Sequence, residues 1–595
     1  MPYFPTLTET PTTQQVTDMF RGYNRNYKIA DGEFSDMENL TSSYYPLLAN
    51  RGKRGMVANL TDPKAMLSKT KLAYIDGDRL FYGGEDVTAH LIAAGCTISA
   101  ETGPKQMISM GAYIVIFPDK LYLNTEDYDD CGSLESKFST ASGTTVTYTL
   151  CKADGTAYKT PTVSATQPSS PADGALWVDT SEDVHSLKIY SAATAMWTAV
   201  ATVYTKISVT GIGKNFERDD GVQLSGCAVT DTAVKEQVDA LNGSHVIIEK
   251  GDDYIVIIGL IDKTCTQTAG SVTVARNVPD LDFVTEAENR LWGCKYGVVN
   301  GETINEIYCC ALGNFKNWEQ YAGISTDSWR ASVGTDGEWT GAVTHLGYPI
   351  FFKENCLHKV YISSTGAHQV IDTACRGVQK GSERSLAVVN ETLYFKGVTD
   401  VCAYDGSLPV SVSEQLGPDR YYDAAAGTIG EKYYISMRDS EGKQHMFVFD
   451  TKRGFWHRED STRAVAFAKD SDDLYYMDGD KLLLMCVGGT DGVLEETMPW
   501  SATTGLIGYN TVEQKYVSRL NLRMKLSEGA FADVYIEYDS DGLWLPAGHI
   551  EGTGTGTFML PLRPRRCDHF RFKIVGEGDV RIFSFSKILE VGSDV

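Results

Sequence analysis

The middle of the chain, residues 288–478, repeats one short pattern. A β-rich run reaches a tight turn containing Asp-Gly or Asn, and a second β-rich run carrying Tyr or Phe follows. The copies lie at residues 289–294, 347–352, 388–395, 432–437 and 473–480. Alternating aromatic and β-branched residues between turn signals indicate antiparallel strands. Regular return of such a unit predicts a repeated β architecture, which usually serves as a scaffold or a binding platform.

Two earlier hairpins match this unit. Residues 72–82 contain an Asp76-Gly77 turn, and residues 112–123 contain a Pro118-Asp119 turn. Together with the part that resumes after residue 280, the repeat covers roughly 290 residues, which at about 40–45 residues per four-stranded blade gives six or seven propeller blades. A chain of 595 residues is too long for one core, so further domains are expected.

The remaining segments differ in composition, and the predicted fold is mainly β: a β-propeller with an inserted β-rich domain and a C-terminal β-sandwich. Residues 131–280 are rich in Thr, Ser, Ala and Val, with one helix expected at 232–241. The predicted domains are an extended N-terminal arm (1–58, with a short helix near 13–21), first blades (59–130), the insertion (131–280), remaining blades (281–495) and a sandwich platform (496–595).

Charge and cysteine content limit the classes of partner. The formal charge of −24 argues against a broad basic face that grips nucleic acid, although it permits a channel along which DNA slides. Thirteen scattered Cys with no C-x-x-C pair suggest reduced thiols in a protein folded in a cytoplasm. The first residues lack a basic region followed by an apolar run, and no apolar run is long enough for a membrane helix, so neither signal peptide nor membrane insertion is expected.

No catalytic motif stands out. Dinucleotide and phosphate-binding glycine loops, the nucleophile elbow and His-x-x-x-His are absent. Cys356 and His358 fit no common zinc spacing, and the acidic clusters lie at predicted turns, where Asp bonds to nearby backbone. We therefore predict no enzyme activity, no catalytic or metal residues and no cofactor. A pair of carboxylates on inner strands, as in propeller glycosidases, stays open because no pair can be singled out.

Two dense basic spots are candidate subunit-interface residues, because clustered Arg can meet an acidic neighbouring subunit. The alternative is that they form an ordinary solvated surface. The candidates are Arg51, Lys53, Arg54, Arg563, Arg565, Arg566 and Asp568.

The opening segment and the central motifs resemble bacteriophage tail-hub proteins, also called tail nozzle or packaged-DNA stabilization proteins. The resemblance rests on Asp31-Gly32 through Asn39-Leu40, a basic Arg-Gly motif at 51–54, and motifs such as residues 288–294, 312–318 and 456–460. It covers residues 25–130 and 280–595. It implies a structural virion protein of the phage tail, assembled in the bacterial host cytoplasm. The implied assembly is a homo-oligomeric ring, commonly six-fold, below the portal and adaptor, which retains DNA and then conducts it through a lumen.

Two other functions stay open at this point. One is a tail-tip or fibre-like protein that binds a receptor glycan through the insertion or the propeller face. The other is a propeller hydrolase of polysaccharide. Glycan affinity separates the first from a purely structural part, and turnover that one carboxylate substitution abolishes would identify the second.

Overall fold

The computed structural model describes residues 12–100, 103, 105–486, 492–508 and 512–591, and strands dominate it. Within these residues helical structure is confined to four short segments, two α-helical and two 3-10. They are Thr88–Ala93, Lys235–Asp239, Glu383–Ser385 and Glu414–Leu416. None of the helices in the described part of the chain has the length and apolarity to cross a membrane. The fold class predicted from the sequence is confirmed.

The chain divides into two compact units. Unit 1 comprises residues 1–86, 350–358 and 372–595, and unit 2 comprises residues 87–349 and 359–371. Each unit is described by itself below.

Outside the insertion, seven groups of four hydrogen-bonded strands recur in the described residues, which agrees with the predicted six or seven blades. The first three are Pro63–Ser68, Leu72–Asp76, Arg79–Tyr82 and Glu85–Asp86; Gln106–Met110, Tyr113–Phe117, Leu121–Asn124 and Cys131–Ser133; and Phe283–Ala287, Arg290–Val299, Glu302–Cys309 and Trp329–Ser332. The next three are Gly341–His345, Tyr348–Lys353, Cys356–Tyr361 and Gln369–Ala374; Ala387–Val389, Thr392–Lys396, Val401–Tyr404 and Val410–Ser411; and Tyr421–Ile429, Lys432–Asp439, Gln444–Asp450 and Phe455–Arg458.

The seventh group is completed from the far end of the chain. Ala464–Asp470, Asp473–Asp478 and Lys481–Leu484 pair in order, and Gly55–Asn59 adds the fourth strand by antiparallel pairing with Lys481–Leu484.

Local chemistry explains the hairpins. Gly77 follows Asp76 with a φ of 62°, a conformation that glycine adopts without steric cost, so the Asp-Gly pair turns the chain tightly between two strands. The predicted hairpin at 112–123 forms as well, with Tyr113–Phe117 pairing against Leu121–Asn124.

The insertion in unit 2 is β-rich, as predicted, and has its own core of aliphatic side chains. One sheet pairs Ser136–Ser139, Thr273–Arg276, Gly221–Ser225 and Gly243–Val246 in that order. A second pairs Glu249–Gly251, Tyr254–Ile258, Tyr204–Ser208, Val146–Cys151 and Cys265–Gln267, and a third pairs Thr162–Ser164, Leu176–Asp179, Ser186–Ser191 and Met196–Ala199.

The C-terminal part of unit 1 forms two sheets around one large core, which matches the predicted sandwich. One sheet has Leu40–Thr41, Leu48–Asn50, Val580–Val591, Lys515–Leu526 and Gly554–Pro561, with Thr12–Thr17 also pairing Val580–Val591. The other extends the group at 421–458 to ten strands. Its order continues through Gly22–Tyr23, Glu33–Glu38, Pro499–Thr504, Phe570–Glu577, Phe531–Tyr538 and Leu545–Glu551.

The N-terminal arm is part of this core, and its predicted helix near 13–21 is wrong. Thr12–Thr17 is a strand whose partner lies more than 560 residues away, so local sequence cannot reveal the pairing. Phe20, Tyr23 and Phe34 are each at most 3% exposed. The arm therefore contributes strands and core side chains to unit 1.

Candidate functional site

A cavity of about 510 Å³ opens on one face of the ten-stranded sheet in unit 1. Its lining comes from strands that are adjacent in the sheet but far apart in the chain. The lining residues are Tyr23, Arg25, Ser35, Asp36, Lys443, His445, Arg458, Thr503, Trp544, Arg571 and Lys573. Below we call it the cationic pocket, because five of these side chains are Arg or Lys and one is a carboxylate.

Strand alternation supplies two of the cations. In Phe570–Glu577, Phe570 and Phe572 are buried in the core, while Arg571 and Lys573 between and beyond them are half-buried. Successive side chains of a strand point to opposite faces, so Arg571 and Lys573 share the face that lines the pocket. Lys573 lies opposite Thr503 on the neighbouring strand.

Both cations lie over the indole ring of Trp544. The Arg571 guanidinium carbon lies 5.2 Å from the indole centroid, and Lys573 Nζ lies 5.9 Å from it. Glu537 holds the arrangement, because it pairs with Arg571 Nε and its Oε1 accepts a hydrogen bond of 2.9 Å from the Gly542 amide. The half-buried indole is thus fixed through the turn that precedes it.

A buried chain of polar groups orients Arg458. Arg458 Nε donates to His445 Nδ1 at 3.3 Å, and His445 Nε2 lies 2.7 Å from Asp439 Oδ2. An acceptor role for Nδ1 assigns the proton of the neutral ring to Nε2, which donates to Asp439. Burial lowers the pKa of His445, with the charges of Arg458 and Lys443 acting in the same direction, so the imidazole is neutral at pH 7.

Another nitrogen of the Arg458 guanidinium lies at the mouth of the pocket. Arg458 Nη1 lies 3.3 Å from Asp36 Oδ1, and Asp36 is 60% exposed while Arg458 is 9% exposed. A solvent-exposed carboxylate is a weak partner, so an incoming anion can compete with Asp36 for this guanidinium.

Tyr23 and Arg25 form a further edge. Burial raises the pKa of Tyr23, although hydrogen bonding and charge from Arg25 oppose the rise, so the phenol keeps its proton at neutral pH. Arg25 Nη1 also pairs with Asp419 Oδ2 at 3.0 Å, and both side chains are substantially exposed. Tyr23 therefore offers a hydroxyl that is neutral, and Arg25 a cation that is accessible.

Two of the five cations have no carboxylate partner among the described residues. Lys443 is exposed in the turn before Gln444–Asp450, and Lys573 contacts only the indole of Trp544 through its charged group. The other three have carboxylate partners at Asp419, Asp36 and Glu537. The two lysines concentrate positive charge in a chain whose formal charge is −24.

The structure places the first predicted basic cluster in the interior. Arg51 and Arg54 are 5% and 2% exposed. Arg54 Nη2 contacts Glu459 Oε2 at 2.6 Å and Asp460 Oδ2 at 3.2 Å, while Arg51 forms two bonds of 2.8 and 2.9 Å with Glu495. Burial acts to raise the pKa of Asp460, but the charges of Arg54 and Arg51 outweigh it and hold that pKa low. We call this set the buried ion network.

The second cluster lies at the surface. Arg563, Arg565 and Arg566 are exposed, and Arg565 Nη1 lies 3.4 Å from Asp541 Oδ2. Asp568 Oδ2 lies 2.9 Å from His569 Nδ1.

Lys53 in the first cluster is bonded within its own chain, since its Nζ donates to the Glu496 carbonyl oxygen at 2.7 Å. The interface role of all seven residues stays a prediction, although the guanidinium groups of Arg51 and Arg54 are already engaged within the chain.

Sequence reasoning missed the cationic pocket. Its members span residues 23 to 573, and none of them forms a local motif. The available signal was the alternation in Arg571-Phe572-Lys573, which marks one polar face of a half-buried strand. No cluster of three or more His, Cys, Asp or Glu in the described residues is placed to hold a metal ion.

Comparison with known proteins gives structural matches only. No family model matches the chain, and no curated protein matches it. An exo-β-1,3-galactanase from Phanerochaete chrysosporium is 8% identical, with 51% of this chain and 94% of that chain covered and a TM-score of 0.22. PorZ, a surface component of the type-IX secretion system of Porphyromonas gingivalis, is 10% identical, with 88% and 82% covered and a TM-score of 0.26. A GH43 glycoside hydrolase with endo-xylanase and exo-arabinofuranosidase activity is 10% identical, with 53% and 98% covered and a TM-score of 0.20.

These matches contradict two predictions made from the sequence. The named structures are glycoside hydrolases and a bacterial surface component, and none of them is a phage tail part. The predicted structural virion function and the predicted lack of enzyme activity are therefore corrected. Since every TM-score is below 0.5, the ligand has to be derived from the residues of the pocket.

Proposed function

We propose that this protein binds an acidic carbohydrate, a glycan carrying uronic acid carboxylates, in the cationic pocket of unit 1. The observation that carries the proposal is the placement of Trp544 beside Lys573 and Arg571, together with a second lysine, Lys443, that has no carboxylate partner among the described residues.

The net charge of the chain makes the local cations of the pocket important for binding an acidic glycan. A protein of charge −24 repels polyanions at long range, so binding requires local cations that outweigh the distant field. Arg458 and Arg571 present planar guanidinium groups, which match the geometry of a carboxylate. Lys443 and Lys573 add flexible point charges that need no bond to be broken inside the protein before they meet a ligand.

The indole gives the selectivity for a sugar. A pyranose ring has an apolar face that packs on an aromatic ring, while its hydroxyl groups need hydrogen-bond partners at the edge. Tyr23, Ser35 and Thr503 supply hydroxyl groups in the lining, although the Ser35 hydroxyl already donates to the backbone carbonyls of 503 and 504. The cavity volume of about 510 Å³ lies in the range of about 300–1,000 Å³ that ligand pockets occupy.

The pocket lining itself supports recognition. Its one carboxylate is Asp36, whereas hydrolysis by the usual route requires a pair of carboxylates that flank the scissile bond. The function we propose for this pocket is therefore binding.

Isothermal titration with tetragalacturonate, a neutral xylotetraose and a single-stranded tetranucleotide tests the proposal on the full chain. We expect tetragalacturonate to bind, and the neutral sugar to bind at least about tenfold more weakly because it forms no charge-assisted bonds. Tighter binding of the nucleotide than of the uronate would contradict the carbohydrate assignment, since indole stacking also suits a base.

Variants localise the binding. Trp544→Ala and the double variant Lys443→Gln/Lys573→Gln should each weaken uronate affinity by about 5- to 30-fold, from about 1–2 kcal/mol of lost stacking or charge-assisted bonding. Lys452→Gln is the matched control, because Lys452 is 57% exposed and lies outside the pocket lining. Trp197→Ala tests the insertion as the site instead, since Trp197 packs edge-to-face against Trp177 on that hairpin. Loss of affinity only in Trp197→Ala would refute the pocket.

A further inference from the structure

A second and smaller cavity in unit 1 surrounds a buried lysine. It has a volume of about 120 Å³, and its lining includes Lys396, Thr399, Asp400, Ser413 and Glu414. The Lys396 residue is 1% exposed, whereas Thr399 and Glu414 in the same lining are exposed, so the cavity opens to solvent beside Lys396.

The Lys396 amine is hydrogen-bonded to the backbone and has few other hydrogen-bond partners. Lys396 ends the strand Thr392–Lys396, whose neighbour Phe395 packs into the interior. Its backbone amide donates to Ser385 Oγ at 2.9 Å, which holds the backbone of Lys396 in place. Its Nζ donates to the adjacent Gly397 carbonyl oxygen. An ammonium has three donors, so two of them have no protein acceptor among the described residues, and Lys396 forms no ion pair within 4 Å there.

The cavity lining contains several acids and hydroxyls, and two further groups act on the amine: Arg420 lowers the pKa of Lys396 and Cys402 raises it. Asp400 is half-buried, receives a hydrogen bond of 3.2 Å from Thr399 Oγ1, and pairs with Arg376 at 3.6 Å. Glu414 stands exposed at the rim. An anion would meet these carboxylates and be repelled, whereas a neutral molecule with a polar carbonyl group would not.

We propose that Lys396 is a reactive amine that captures a small aldehyde or ketone in this cavity as an imine. The unprotonated Nζ adds to the carbonyl carbon as the C=O π bond opens, and one proton passes from the nitrogen to the oxygen to give a carbinolamine. The hydroxyl group then leaves with the second nitrogen proton as water, and the C=N bond forms. The cavity volume of about 120 Å³ is smaller than the roughly 150 Å³ cavity that holds benzene, so it suits a small carbonyl compound.

The charge state of the amine fits this chemistry. Burial lowers the pKa of Lys396 to about 8, and the nearby charge of Asp400 partly offsets the effect. At pH 7.5 about a quarter of Lys396 is then unprotonated, against about one part in a thousand for a lysine with the ordinary pKa of about 10.4. A less basic amine is also a weaker nucleophile, so we expect part of this advantage to remain in the rate. The inference does not depend on glycan binding in the cationic pocket.

Reductive trapping on the full chain tests it. The protein is incubated at pH 7.5 with glycolaldehyde and sodium cyanoborohydride, and the sites of alkylation are followed by peptide mass spectrometry over time. We expect Lys396 to react at least about tenfold faster than the exposed Lys452, on the strength of its larger unprotonated fraction. Equal rates at the two lysines would overturn the proposal, and this comparison needs no variant to fold.

Two further measurements separate reactivity from simple access. Raising the pH from 7.5 to 9 should increase the rate at Lys396 by only about fourfold, because most of its amine is by then unprotonated. A much bulkier aldehyde, pyridine-4-carboxaldehyde, should lose the preference for Lys396 because it exceeds the cavity. A rise of about thirtyfold at Lys396, as expected for an amine with the ordinary pKa of about 10.4, would refute the reactive amine. Unchanged preference with the bulky aldehyde would refute the cavity as its binding site.

Discussion

We expect that removing one charge from the buried ion network lowers the free energy of unfolding of unit 1, and the geometry of the network indicates by how much. In Glu459→Gln the side chain keeps its shape, but Arg54 loses the carboxylate at 2.6 Å, with the two side chains only 3% and 4% exposed. Removing one partner of a buried pair costs about 3–5 kcal/mol, because the remaining charge stays buried. Asp460 remains 3.2 Å from the same guanidinium nitrogen, so we expect the lower end, about 3 kcal/mol.

Thermal unfolding measures this loss. At about 2 °C per kcal/mol for a unit of this size, the Tm of unit 1 should fall by about 6 °C. Hydrogen exchange of peptides that cover residues 54–59 and 455–460 assigns the change to the network. The matched control is Glu496→Gln, because Glu496 is exposed and uses its backbone carbonyl, not its carboxylate, to accept from Lys53. That variant should stay within about 1 °C of the parent.

The double variant Arg54→Met/Glu459→Met completes the reasoning. Apolar side chains of similar size leave no unpaired charge in this pair. The double variant should therefore lose less stability than the summed losses of the single variants Arg54→Met and Glu459→Met. A Tm for Glu459→Gln within 1 °C of the parent would show that water reaches this network, and the burial argument would fail. A double variant as unstable as the sum would show that packing, not charge, governs the site.

Three other perturbations have defined outcomes. Phe34→Ala in the arm, where Phe34 is 1% exposed and stacks 6.0 Å from Phe20, should cost unit 1 about 3–5 kcal/mol in urea unfolding; no loss would show that the arm is not part of the cooperative core. Burial lowers the pKa of His457 to about 3, so between pH 6.5 and 3.5 the unfolded chain takes up a proton that the native state refuses. Stability should therefore fall by up to about 1.4 kcal/mol per pH unit on acidification, and His457→Gln should flatten that slope; an unchanged slope would refute the assignment. In unit 2, Arg276→Met leaves Asp220 buried without its partner at 2.7 Å and should lower the Tm. Loss of uronate binding with an unchanged Tm would contradict a structural role for this pair.

The sequence predicted those parts of the fold that depend on neighbours along the chain. The Asp76-Gly77 turn is encoded by two adjacent residues, and each blade pairs strands that follow one another, so alternation and turn chemistry suffice to find them. The expected helix near residue 13 failed for the opposite reason. Its residues are polar and ambiguous, and their pairing with Val580–Val591 decides the conformation.

The site was harder to predict than the fold for the same physical reason. Arg458 and Arg571 meet in one pocket because the arm strands Gly22–Tyr23 and Glu33–Glu38 lie between their two strands in the sheet. No spacing in the sequence expresses that adjacency. The basic residues at 51–54 were conspicuous because they are contiguous, yet two of them serve an internal network, so local charge density did not indicate exposure.

The strand Gly55–Asn59, which completes the seventh four-stranded group with Lys481–Leu484, has a consequence for biosynthesis. The two partners are separated by roughly 420 residues, so at about 5–20 residues per second the ribosome needs some 20–80 s to deliver the second after the first. During that interval the early strand edge and the apolar arm side chains are without their final partners. The nascent chain is therefore expected to engage chaperones until its last third emerges, and ribosome profiling of chaperone-bound chains would time that release.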